Sequence, residues 1–173
     1  VDSGNKIIQK NIIDYLNLLP INLIYIKKKV SRIKGLNLAL EKSSSEYSLR
    51  FDTRARFSRN YAKEAIAVLR DKSLNISVAG GVPTINSEGN SFAANLCAGI
   101  MQRKYIFFNP KHRNLNYSGY ASSVYLGCFK TKFLKKIKYR ETQNLISEDS
   151  LIIKDFSDNG HRTYIDSKIK IAY

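Results

Sequence analysis

The sequence predicts one domain of the α/β class, in which a mixed, mainly parallel sheet is flanked by helices. Two observations lead to this prediction. In the first half of the chain, short apolar runs alternate with segments whose apolar residues recur at helical spacing, a pattern typical of parallel sheets covered on both faces. The length of 173 residues, with 43% apolar and 25% charged residues, suits one globular domain and excludes a disordered or fibrous protein.

Helices and strands are predicted to alternate in the first half of the chain. Apolar residues at helical spacing predict helices at 6–19, 33–40 and 61–69, and Pro20 ends the first of them. Apolar or alternating runs predict strands at 22–26, 46–51 and 75–82. The third of these strands carries a pair of glycines, Gly80 and Gly81.

The pattern is looser in the second half of the chain. A helix is expected at 92–101 and a long irregular loop at 109–120, where Pro, Asn, Gly and His replace any period. Regular structure is predicted again by a strand at 124–128, a helix from Thr131 and a helix at 148–159. Two final strands are predicted at 162–165 and 169–172.

The charge of the chain is strongly positive. Lys and Arg number 29 against 14 Asp and Glu, a formal net charge of +15, and such a surplus favours phosphate-bearing partners. Five cations stand together in Lys27–Lys34, the sequence KKKVSRIK. Elsewhere the surplus is spread along the chain, so a generally basic, solvated surface is the alternative interpretation.

Most familiar catalytic and cofactor motifs are absent from the sequence. It contains no G-x-G-x-x-G, no G-x-x-x-x-G-K-[ST] and no G-x-S-x-G. Cys97 and Cys128 are too few for a disulfide framework or a zinc knuckle and are expected to be buried apolar residues. With only His112 and His161, histidine-rich metal clusters and serine or cysteine triads are disfavoured.

Acidic residues occupy the positions where an α/β sheet binds ligands. Asp2 stands in V-D-S-G, Asp52 follows the strand at 46–51, and Glu148 and Asp149 open a helix; ligands of open α/β sheets bind beyond the carboxyl ends of strands. Each acid also has a structural interpretation as a turn or helix-capping residue, with Ser147 as the cap of the last helix.

Six segments, taken in order, resemble the family 2 glycosyltransferases of the GT-A fold, and in particular their bacterial exopolysaccharide, succinoglycan-type branch. The resemblance extends over nearly the whole chain, from Val1 to Tyr173. The segments are V-D-S-G, K-G-L-N-L-A-L-E-K-S-S-S-E-Y, L-R-F-D-T-R-A-R-F, V-A-G-G-V, Y-L-G-C-F-K-T-K-F-L-K-K-I and E-D-S-L-I-I-K-D-F-S-D-N-G-H-R-T-Y-I-D.

The resemblance implies an inverting transfer of a sugar from a nucleotide-diphosphate donor, usually a UDP-sugar, to a polysaccharide or lipid-linked saccharide. It implies a nucleotide-binding half at about 1–82 and an acceptor half at about 83–173. It also implies that the first strand and helix of the GT-A fold are missing before Val1. Work in the cytoplasm, at the inner face of the cell membrane, is implied as well, and the cluster Lys27–Lys34 predicts peripheral contact with anionic lipid.

The nucleotide side of the site is assigned from the same resemblance. Asp2 matches the acid that contacts the base, with Ser3 beside it. Asn37, together with Gly35, matches the segment that lines the nucleotide. Asp52 and Arg54 are the first and third positions of the family's D-x-D, here D-T-R.

The metal and the catalytic base are implied in the same way. Asp52 matches the carboxylate that engages Mg²⁺ or Mn²⁺ on the diphosphate, and such ions often use few protein carboxylates plus substrate phosphates. Arg54 is not a metal ligand, and we expect it to pair with the diphosphate directly. Asp149, next to Glu148, matches the general base that takes the proton of the acceptor hydroxyl.

Two alternatives stay open at this point. The arginine in place of a possible ligand suggests a non-catalytic homologue of the same fold. A basic nucleic-acid-binding protein would explain the charge and the 11 Tyr and 8 Phe, although no recognisable nucleic-acid-binding module is present.

Overall fold

The structure is a computed structural model that describes residues 1, 10–52, 55–84, 96, 99, 111, 114–141 and 147–172. Its contacts divide the chain into two compact units, 1–44 and 45–173. The division into nucleotide-binding and acceptor halves stays a prediction.

The first unit contains two of the predicted helices, α1 (Lys10–Asn17) and α2 (Arg32–Lys42). The side chain of Ser31 caps α2 by accepting a hydrogen bond from the Lys34 amide at 3.3 Å. The strand predicted at 22–26 is wrong, since none of these residues lies in a strand and only the following Lys27 forms an isolated bridge. Ile24 is 51% exposed, so this apolar run lacks the coverage that a buried strand requires.

The second unit contains three α-helices and a six-stranded sheet among its described residues. The helices are α3 (Tyr61–Arg70), α4 (Thr131–Ile137) and α5 (Glu148–Asp158), with a 3₁₀ turn at Lys72–Leu74. The strands are β1 (Tyr47–Leu49), β2 (Arg56–Phe57), β3 (Val78–Thr84), β4 (Gly119–Ala121), β5 (Cys128–Lys130) and β6 (Thr163–Ala172). No described helix of either unit is long and apolar enough to cross a membrane.

The sheet confirms the α/β class but not the expected strand directions. Its order is β1-β5-β3-β6-β2, and β4 also pairs with β6. Only β3 and β6 pair in parallel among the described strands, and the other four pairings are antiparallel. The mainly parallel arrangement is therefore wrong for this part of the chain. That prediction extended the alternation of strands and helices from the first half of the chain to the second. In the structure, β5 lies between β1 and β3 and runs antiparallel to both.

Several boundaries in the second half also differ from the prediction. The strand expected at 124–128 is β5, shifted to Cys128–Lys130, because Leu126 has a φ of +45° and cannot extend a strand. The two strands expected after residue 161 are one, β6. The expected loop ends in β4, whereas 114–118 are turns or irregular. Of the helix expected at 92–101, only the helical Leu96 and Gly99 are described.

Helix α3 packs on the sheet and forms the core with it. Tyr61, Ala65 and Leu69 are buried on one face of the helix, against Cys128 and Ile169 of the strands. The Tyr61 hydroxyl donates a 2.6 Å hydrogen bond to the Leu126 carbonyl, so the buried phenol is satisfied. This packing keeps β5 and β6 fixed on either side of β3.

The glycine pair in β3 permits a close approach at the centre of the sheet. A Cβ atom at Gly80 would lie 2.4 Å from Val124 Cγ2, and one at Gly81 would lie 2.0 Å from the Ile169 carbonyl oxygen. The register of β3 against β6 shifts between Gly80 and Val82, as at a β-bulge. A side chain at either glycine would therefore push apart the strands that position the helices.

Candidate active site

A half-buried arginine lies at the centre of the candidate site. Arg50 follows β1, and its guanidinium contacts three carboxylates: Asp52 at 4.0 Å, Glu148 at 2.9 Å and Asp149. The Arg50 side chain is only 11% exposed and those of Asp52 and Glu148 are each 18% exposed. Asp52 and the adjacent pair Glu148 and Asp149, which are far from it in sequence, thus converge on one cation, in a setting where water screens their charges poorly.

The local sequence explains how these groups come together. Strand β1 ends at Leu49 and delivers Arg50 and Asp52 at its carboxyl end. Glu148 and Asp149 form the first turn of α5, and the Ser147 side chain caps this helix by accepting a 3.3 Å hydrogen bond from the Asp149 amide. The predicted cap is confirmed, and the helix dipole favours acids at this end.

Arg50 is the residue that the sequence analysis missed. Its signal was available, because Arg50 is the only charged residue between Tyr47 and Phe51. A charge inside an otherwise half-buried strand segment implies a partner in the fold. The partners come from α5, about 100 residues later, and a pattern within 46–51 gives no information about them.

Tyr139 borders the acidic side of the cluster. Burial raises the pKa of Tyr139 to about 12; Arg50 acts against this rise, and Asp149 and Glu148 add to it. Its phenol therefore stays protonated at neutral pH. The site consequently holds a neutral hydroxyl beside its carboxylates.

The residues of the cluster fit a metal only as a partial ligand set. Within the described residues, no group of three or more His, Cys, Asp or Glu side chains is arranged to hold a metal ion. Asp52 offers one carboxylate, and Mg²⁺ is commonly held by one or two carboxylates together with substrate phosphates. The donor chemistry thus suits a divalent ion that binds with a diphosphate, and the predicted Mg²⁺ or Mn²⁺ stays a prediction.

The other predicted site residues belong to the first unit or lie outside the described residues. Gly35 and Asn37 lie within α2, in the first unit, and both are half-buried. Asp2, Ser3 and Arg54 lie outside the described residues. The structure thus brings together Asp52, Glu148 and Asp149, and the roles of all the predicted residues remain predictions.

Cys128 and His161 lie apart from the acidic cluster. Cys128 is buried in the core, and burial raises its pKa to about 12, so the thiol is an apolar packing group as expected. The Nδ1 atom of His161 lies 3.1 Å from Ser77 Oγ, and its ring contacts Phe133 at 4.1 Å between centroids. His161 is therefore held in a fixed position.

Comparison with known proteins identifies the fold. No protein-family model matches the chain, and no curated protein matches it. The solved structure of S. aureus TarS 1–349 matches with a TM-score of 0.63 at 17% identity, covering 94% of this chain and 46% of TarS. The complex of TarS 1–349 with UDP-GlcNAc matches with a TM-score of 0.61 at 17% identity, covering 94% and 45%. The chain thus has a glycosyltransferase fold and spans less than half of those TarS chains.

Proposed function

We propose that this chain is a nucleotide-sugar glycosyltransferase whose active site is the cluster of Arg50, Asp52, Glu148 and Asp149. The observation that carries the proposal is the convergence of the three carboxylates on Arg50 within a glycosyltransferase fold. The complex of TarS with UDP-GlcNAc supports a UDP-sugar as the donor class.

Asp52 is assigned to the donor side of the reaction. It follows β1 at its carboxyl end, where ligands of α/β folds bind. A divalent ion, when bound with the donor, supplies charge stabilisation to the departing diphosphate. Asp52 is the described carboxylate that would hold this ion, and Arg50 fixes its position from 4.0 Å away.

Asp149 is assigned to the acceptor side as the general base. The acceptor hydroxyl oxygen forms a bond to the anomeric carbon while the bond from that carbon to the diphosphate oxygen breaks. The hydroxyl proton passes to a carboxylate oxygen of Asp149, and the electron pair leaves with the nucleoside diphosphate. Such a single displacement inverts the anomeric centre. Arg50 orients the base through its contact with Asp149, because a fixed carboxylate geometry makes proton transfer efficient.

The acceptor is proposed to be a growing polysaccharide or a lipid-linked saccharide. The resemblance to the exopolysaccharide branch supports this assignment. The basic cluster Lys27–Lys34 supports work beside an anionic membrane surface at the cytoplasmic face, since each cation near such a surface adds about 1 kcal/mol of attraction.

Calorimetric titration of the chain with UDP and Mn²⁺ tests the donor assignment. We expect saturable binding that Asp52→Asn weakens about tenfold or more, because a charge-assisted contact is lost. Asp158→Asn is the matched control, since Asp158 is an exposed acid paired with Lys154 at the far end of α5. Equal UDP binding by wild type and Asp52→Asn would contradict the site.

The same preparation separates the two alternatives. A non-catalytic homologue binds UDP but releases no sugar from UDP-GlcNAc with or without added saccharide acceptors. A nucleic-acid-binding protein, which the net charge of +15 favours, binds a single-stranded oligonucleotide with an affinity that collapses between two salt concentrations. That protein would show no response to UDP.

A further inference from the structure

A cavity lies beside the other end of α5. Its volume is about 310 Å³, and it is bounded by β4, the end of α5, the start of β6 and Lys111. This volume suits a ligand of the size of a single sugar with one charged group. We refer to this cavity as the α5 pocket.

The α5 pocket is basic and carries hydroxyl groups. Lys111, His161 and Arg162 line it, with the hydroxyl-bearing Ser157 and Thr163. None of the described residues that line it is acidic. Burial is the main cause of the lowered pKa of His161, and Lys136, Lys130 and Lys132 lower it further. The cavity therefore lies in a positive field to which α4 and β5 also contribute.

Arg162 is held in place by the fold rather than free on the surface. Its Nε donates to the Asn75 carbonyl at 3.3 Å and its Nη2 to the Leu74 carbonyl at 2.9 Å. The ring of Tyr120 lies under the guanidinium at 4.5 Å, and the Tyr120 hydroxyl donates to the Leu74 carbonyl at 2.8 Å. A guanidinium fixed in this way loses little conformational entropy when it binds an anion.

The pocket lies along the stripe of α5 that also carries the proposed base. Asp149, Ile153 and Ser157 are four residues apart in turn, and residues at this spacing share one side of a helix. Ile153 and Ser157 both line the pocket. Along the helix axis they lie about 6 Å and about 12 Å from Asp149. The pocket therefore begins about one helical turn from the carboxylate that receives the acceptor proton.

We propose that the α5 pocket binds a phosphate-bearing sugar of the acceptor, with Lys111 and Arg162 on the phosphate and the hydroxyls of Ser157 and Thr163 on the sugar. Arg and Lys are the usual partners of phosphate oxygens. The inference rests on the proposed function, because it assigns the substrate class of the same reaction: the acceptor is anionic. A phosphorylated saccharide and a free phosphate share this chemistry, and the experiment distinguishes them.

Proton NMR of the histidine rings tests the pocket directly. The chain has only two histidines, His112 and His161, so a His161→Gln variant assigns both C2–H signals. Glucose 1-phosphate, inorganic phosphate and glucose are titrated separately into the full chain. We expect a saturable shift of the His161 signal with glucose 1-phosphate, and binding about tenfold weaker for each of the other two probes.

Two variants and one control connect the shift to the pocket. Lys111→Gln and Arg162→Lys are each expected to weaken glucose 1-phosphate binding about tenfold. Lys154→Gln removes the same charge from a lysine of α5 that does not line the pocket and pairs with Asp158, and it should bind as wild type does. An equal loss with Lys154→Gln, or equal affinity for inorganic phosphate, would overturn the proposal.

Titration with UDP and Mn²⁺ separates this inference from the proposed function. Intact UDP binding with no saturable shift of His161 overturns the pocket and leaves the donor site. A pocket-dependent shift in a chain that neither binds UDP nor turns over UDP-GlcNAc overturns the proposed function, and with it the assignment of the ligand as an acceptor.

Discussion

Clusters of opposite charge lie near the two ends of α5, acids in its first turn and basic residues beyond its last, and they are compensated in different ways. At the first turn, Glu148 and Asp149 close on Arg50, whose side chain is 11% exposed. Past the last turn, His161 and Arg162 face the open α5 pocket without an acid among its described lining residues. The helix dipole favours the acids of the first turn, whereas the last turn contains Asp155 and Asp158 and no basic residue. The difference shows that the acids of the first cluster contact a cation within the fold, whereas the described lining of the pocket offers its cations no carboxylate.

The largest expected effect comes from removing the base at the acidic end. Asp149→Asn should lower kcat for sugar transfer by about 10²–10⁴-fold, the usual contribution of general base catalysis. Steady-state kinetics with UDP-GlcNAc measure this loss, and UDP binding should be retained. Asp155→Asn is the control, because Asp155 lies on the same helix and pairs with Arg140 at 2.8 Å. Wild-type turnover by Asp149→Asn would place the base elsewhere.

Removing the central cation should destabilise the acidic end. Arg50→Met leaves three carboxylates without their shared partner, and breaking a buried ion pair in this way costs about 3 kcal/mol of unfolding free energy. Urea denaturation at pH 7 measures the change. Arg140→Met breaks a more exposed pair, in which the arginine is 55% exposed, and should cost less than about 1 kcal/mol. Equal costs for both variants would show that the cluster is screened by water.

The basic end should make stability depend on pH. Burial, and after it Lys136, Lys130 and Lys132, hold the pKa of His161 below the usual histidine value of about 6.5. The unfolded state therefore takes up the proton first, so stability is full above about pH 6.5 and falls as the pH drops through that value. Urea midpoints between pH 7.5 and 5.5 measure the slope, which His161→Gln should reduce and His112→Gln should leave unchanged. If the urea midpoint of His161→Gln depended on pH as it does in the wild type, His161 would not be the cause of the pH dependence.

The smallest expected effect concerns the basic cluster Lys27–Lys34. It tests whether this cluster, unlike the α5 pocket, attracts anions only through non-specific electrostatics. The cluster Lys27–Lys34 should give weak cosedimentation with anionic vesicles at low salt, lost near ~0.5 M salt because screening shortens the field. Replacing Lys27, Lys28 and Lys29 by Gln should reduce it while leaving UDP and glucose 1-phosphate binding unchanged. Neutral vesicles that bind as tightly would contradict the electrostatic basis of adsorption.

The helices were predicted well because their signals are local. Helices α2, α3 and α5 each have an apolar period within the segment, and Ser31 and Ser147 cap two of them as side-chain chemistry dictates. The positions of Asp52 and of Glu148 with Asp149 followed equally from the element boundaries. Their meeting at Arg50 depends on where α5 packs, which no local pattern contains.

The strands were predicted less well and the pocket was not predicted, because both depend on distant partners. An apolar run such as 22–26 is a strand only if other strands pair with it, and composition does not report on pairing. The α5 pocket combines Lys111 and Tyr120 from a predicted loop with Arg162 from the start of β6. Its residues share no sequence motif. The sequence therefore showed the overall surplus of positive charge but not that several basic residues meet at this pocket.

The pairing of β3 with β6 has a consequence for the order of folding. Val78 pairs with Thr163 and Thr84 with Ala172, so the middle of the sheet joins segments that the ribosome makes far apart in time. Contacts of this kind slow folding, because a long loop must close before they form. Until β6 emerges, β3 presents one open edge to other nascent chains, which is a common route to aggregation. The late strand β6 should therefore limit both the rate and the yield of folding.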